Sequence, residues 1–67
     1  MTGRDWTARE ALEAVKAHRA RVVYEAPRKR DIVPTDDPRF TLDLRYGLRR
    51  GWYVWRRTVA AGDKGKA

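Results

Sequence analysis

The sequence predicts an α+β fold: one N-terminal helix packed on a small antiparallel sheet of three to four strands, the last two forming a C-terminal β-hairpin. Three observations carry this. Thr7 and Glu10 form a capping box ahead of a helical apolar stripe, RFTLDLRYGL alternates strictly between apolar and polar positions, and WYVWRRTV follows it across a turn bracketed by Gly47 and Gly51. A helix followed by a run of strands is the α+β pattern, with the helix laid across one face of the sheet.

In a capping box each side chain satisfies a backbone donor at the other, so the helix is expected to start at Ala8, with Trp6 at the staple position facing Ala11. Ala8, Ala11, Leu12 and Val15 make one face, while Glu10, Glu13 and Lys16 point outward. The favoured end of the helix is near Ala20, because Val22, Val23 and Tyr24 are better strand formers and suit a strand over residues 21–26. A helical stripe through Arg19, Val22, Val23 and Ala26 as far as Pro27 is the alternative. Ile32 and Val33, bracketed by APRKR and PTDDP, read as a short edge strand pairing back on residues 22–26 or as a loop tucked in by two side chains.

Phe40, Leu42, Leu44, Tyr46 and Leu48 then alternate with Thr41, Asp43 and Arg45, which read as the solvent face, and residues 39–59 form the hairpin. Two registers are open. If Tyr46 pairs with Trp52, Trp52 and Val54 face the core; a turn one residue tighter pairs Leu42 with Trp55, burying Tyr53, Trp55 and Val59 and exposing Trp52, Val54 and Arg56. The tighter turn is favoured because it buries Val59. Either way one tryptophan stays outside beside arginine.

The 67 residues make one domain, read as 1–59 with a flexible basic tail over 60–67. Nine of the apolar residues are alanine, so the core is thin, and a self-associated or partner-bound state is expected. The absence of cysteine removes disulfides, thiol catalysis, iron–sulfur clusters and cysteine-based zinc sites, and suits a reducing cytoplasm. The opening residues lack the apolar core of a signal peptide, and no run approaches the roughly 18 apolar residues of a membrane span.

Catalysis is poorly supplied in a chain with one histidine, no cysteine and no serine. His18 reads as a surface histidine near the helix end, and Asp36 and Asp37 before Pro38 suit a turn rather than a metal site. Gly47 and Gly51 serve a hairpin turn and lack the lysine and helix of a phosphate-binding loop. The expectation is a protein with no enzymatic activity, metal or cofactor.

Charge points elsewhere. The formal net charge is +7, and twelve of the sixteen bases are arginine, the residue suited to bidentate phosphate and carboxylate contacts and to ring stacking. Residues 21–30 hold four bases and one acid, 45–59 five bases and no acid, and 31–44 between them one base and four acids. The candidate binding residues are Arg28, Lys29, Arg30, Arg45, Arg49, Arg50, Trp52, Arg56 and Arg57. The favoured function is binding of nucleic acid, DNA or RNA, in which these cations neutralise phosphates and the outward tryptophan stacks or wedges. The alternative is a protein-interaction module, such as a phage-type inhibitor or regulator docking its hairpin on an acidic surface of a larger partner. Asp31, Asp36, Asp37 and Asp43 favour the alternative if they share a face with the cations, because they would interrupt a phosphate track.

Overall fold

The computed structural model describes residues 3–60; of the tail expected over 60–67, only Ala60 falls among them, its amide donating to the Arg39 carbonyl at 2.7 Å, and 61–67 lie outside the described residues. A 3-10 turn over Gly3–Asp5 leads into helix α1 (Ala8–Lys16), followed by strands β1 (Ala20–Ala26), β2 (Lys29–Pro34), β3 (Phe40–Gly47) and β4 (Gly51–Val59). The four strands form one antiparallel sheet in chain order, β1-β2-β3-β4, with α1 packed on one face. The predicted α+β arrangement, with its C-terminal hairpin, is the arrangement observed.

The capping box forms as its spacing requires: the Thr7 hydroxyl accepts from the Glu10 amide at 3.1 Å, and the Thr7 amide donates to the Glu10 carboxylate at 2.9 Å. Ala8, Ala11 and Ala14 are buried, and three small residues on one face bring the helix close to the sheet. The helix ends at Lys16, earlier than the expected Ala20. Its terminus is a Schellman motif, in which the His18 amide donates to the Val15 carbonyl at 3.1 Å and the Arg19 amide to the Ala14 carbonyl at 2.8 Å. His18 occupies the left-handed position at φ 62°, where glycine is usual, so the ordinary stop signal is missing from the sequence.

β2 corrects the expectation of an edge strand or loop, since it pairs with β1 on one side and β3 on the other. Its apolar signal is short because Lys29 and Asp31 occupy alternate positions on the face away from the helix. Ile32, Val33 and Pro34 are all buried. The core joins Trp6 and the helix alanines to Ala20, Ile32, Phe40, Leu42 and Leu44, with Leu12, Val15, Val22, Trp52 and Val54 packed around them.

The favoured hairpin register is not the one adopted. Tyr46 pairs with Trp52 and Leu44 with Val54; the ladder then skips Trp55, after which Asp43 pairs with Arg56, Leu42 with Arg57 and Phe40 with Val59. One bulge places Trp52 and Val54 on the core near the turn and brings Val59 opposite Phe40, but Val59, expected to be buried, stays half-exposed at the strand end. Trp55, expected inside, is 54% exposed. Gly51, at φ 72°, supplies the left-handed residue that closes the turn, a conformation most side chains resist. A similar skip of Val23 bulges β1, so each edge strand of the sheet carries one bulge.

Candidate nucleic-acid interface

In a meander of this order the β1–β2 and β3–β4 turns fall at the same end of the sheet. The Tyr46 amide donates to the Arg28 carbonyl at 2.9 Å, which holds the first turn against the end of β3. Arg28, Arg49 and Arg50 are thus gathered from two distant segments, and none of them has a carboxylate partner within salt-bridge distance among the described residues. Leu48, 77% exposed, and the half-exposed Tyr46 accompany them.

On the helix side of this end the Arg30 guanidinium lies 4.7 Å from the centroid of the Trp52 ring, and Tyr46 meets Trp52 edge-on at 5.3 Å. Arg30 also reaches Glu25 at 3.5 Å. A groove of about 360 Å³ runs between α1 and the start of β4, lined by Arg9, Leu12, Glu13, Lys16, Arg50 and Trp52. Arg9 and Lys16 are cations that the sequence reading did not select. Their spacing places them on one helix face, but only the packing shows that this face looks towards Trp52.

The face of the sheet away from the helix is built differently. Lys29 bridges Asp31 and Asp43, the latter at 3.1 Å, and Arg45 grips both oxygens of Asp43 at 3.0 and 3.4 Å. Partial burial pushes the Asp43 carboxyl up, but hydrogen bonds from Arg45 and Lys29 outweigh it and hold the group below its ordinary value. Hydrogen bonds to Asp31 and Asp43, respectively, raise Lys29 and Arg45. Rings flank this charged row: Lys29 sits 5.3 Å from the Tyr24 centroid, Arg45 5.3 Å from Trp55, and Arg50 4.1 Å from Tyr53.

The nine candidate residues therefore separate into groups. Arg28, Arg49 and Arg50 share the turn end, with Arg30 and Trp52 on its helix side. Trp52 is half-buried against the core and is not the outward tryptophan, a role that falls to Trp55. Lys29 and Arg45 lie on the other face, neutralised by Asp31 and Asp43. Arg56 stands opposite Asp43 in the ladder, with no ion pair among the described residues. Arg57 is drawn away to the helix side, where it donates to backbone carbonyls. The acidic segment is divided as well, since Asp37 pairs with Arg4 at 2.7 Å near the opposite end.

Among the described residues no helix is long and apolar enough to cross a membrane, and no group of His, Asp or Glu is placed to hold a metal ion. Comparison with protein-family models, curated proteins and solved structures found no match.

Proposed function

We propose that this is a non-enzymatic, cytoplasmic binding protein that contacts a nucleic acid backbone through the turn end of its sheet. The observation that supports this best is the convergence of Arg28, Arg49 and Arg50 at one end with no carboxylate among the described residues paired to any of them. Unpaired guanidinium groups on a narrow end displace counterions from phosphates, and each such contact gives a log–log salt slope of about −0.9 on duplex DNA. Arg9 and Lys16 continue the positive surface along the helix groove.

A second reading, docking on an acidic surface of a partner protein, is favoured by one observation. Asp31 and Asp43 do share a face with Lys29 and Arg45, so no uninterrupted phosphate track crosses the centre of the sheet.

Titration of labelled single- and double-stranded oligonucleotides at two salt concentrations separates the readings. Binding that weakens steeply with salt, and whose duplex slope becomes shallower by about 0.9 for each of Arg28, Arg49 and Arg50 changed to Gln, supports the first. Salt-insensitive binding, or none to DNA or RNA, removes it.

A further inference from the structure

We infer that the uncovered face of the sheet is a stacking platform for single-stranded nucleic acid, with Tyr24 and Trp55 as its stacking rings and Tyr53 beside them. The inference rests on the nucleic-acid reading above and specifies its substrate. α1 covers only one face, and the other presents rings from both edge strands. Tyr24 on β1 and Trp55 on β4 are each 54% exposed. With neighbouring strands about 4.8 Å apart, the two edges lie roughly 14 Å from each other, so a ligand that uses both rings must cross the sheet.

Each ring is backed by a cation: Lys29 at Tyr24, Arg45 at Trp55 and Arg50 at Tyr53. A ring held on one side by a cation keeps its place and leaves the other side for a base, and base–aromatic stacking tolerates any base. The bulge at Trp55 adds to this arrangement. The extra residue lets Val54 and Arg57 both fall on the helix side while Trp55 and Arg56, between them, both stay on the uncovered face.

Charge selects the occupant. Asp31 and Asp43 are already held by Lys29 and Arg45, so the centre of the face is close to neutral. Among the described residues, the strand cations without an ion pair on this face are Arg21, opposite Val33 on β1, and Arg56, opposite Asp43 on β4, and Arg50 joins them from the turn beside Tyr53. Rings with spare cations at both edges suit a polyanion whose bases are unstacked. A duplex hides its bases and can use only the cations.

The test measures fluorescence anisotropy of a labelled oligothymidine of about 12 nucleotides and of a duplex of equal length, titrated with the full chain. The single strand should bind more tightly than the duplex. Trp55→Ala and Tyr24→Ala should each weaken single-strand binding roughly 5- to 150-fold, the range expected for loss of one stacked base, and leave duplex binding unchanged. Trp55→Phe, which keeps a ring, should retain most of the affinity. If both alanine variants bind the single strand like the parent while duplex binding persists, the platform is overturned and the turn-end reading survives. If neither oligonucleotide binds, both fall. A dimer in light scattering that Trp55→Ala converts to monomer would assign the face to a second copy, and would also overturn the inference.

Discussion

One guanidinium nitrogen of Arg57 donates to the carbonyl of Trp6 at 2.8 Å, and the same Nη1 reaches the carbonyl of Arg4 at 3.0 Å. These bonds tie the last strand to the segment that leads into the helix, joining residues 51 positions apart. Arg57→Ala should therefore cost about 1–2 kcal/mol in chemical denaturation, as expected for charge-assisted bonds to backbone. Arg56→Ala, which removes no side-chain bond among the described residues, should stay within about 0.5 kcal/mol. Equal effects from the two would show that Arg57 contributes only its charge.

The two tryptophans of β4 should separate in the same assay. Trp52, packed against the core and between Tyr46 and Arg30, should lose about 2–3 kcal/mol on replacement by alanine. Trp55→Ala should lose less than about 1 kcal/mol, since its principal contact is the exposed stack on Arg45. The reverse ranking would restore the tighter hairpin register.

Asp43 predicts an acid limb. Its folded-state pKa lies below the ordinary value of 3.8, so the group stabilises the fold above that value and the contribution disappears as the pH falls through the folded pKa. Stability followed from pH 7 down to about pH 2 should fall more gently in Asp43→Asn than in the parent, with the difference opening below about pH 4. Identical acid limbs would show that Lys29 and Arg45 do not hold the carboxylate in solution.

His18 predicts a gain. A left-handed residue with a side chain costs about 1 kcal/mol relative to glycine, so His18→Gly should raise the melting temperature by about 4–8 °C. His18→Val, β-branched at the same φ, should lower it.

Local signals were legible in the sequence, and juxtapositions were not. The capping box, the Ala8 start, the alternation through Phe40, Leu42 and Leu44, and the glycine-bracketed turn depend on neighbours within a few residues, and all of them hold. The helix end at Lys16 was missed because His18 takes a glycine's place. The register is not legible from alternation alone, because no uniform ladder admits the extra residue that lets Trp52 and Val59 share a face. Of the candidate site, the cationic turns were visible as composition, while the removal of Arg57, the neutralisation of Lys29 and Arg45 and the approach of Arg9 and Lys16 to Trp52 depend on tertiary placement.

The paired bulges have a consequence for solubility. A four-stranded sheet in chain order leaves β1 and β4 with unpaired backbone groups, and a small protein with a thin core invites another chain to extend such an edge into a fibril. Val23 interrupts the hydrogen-bonding rhythm of one margin and Trp55 that of the other. An incoming strand would find a matching ladder for only part of its length before the local twist turned the edge away. The extra residue at Trp55 thus also guards the chain against growing into aggregates of itself.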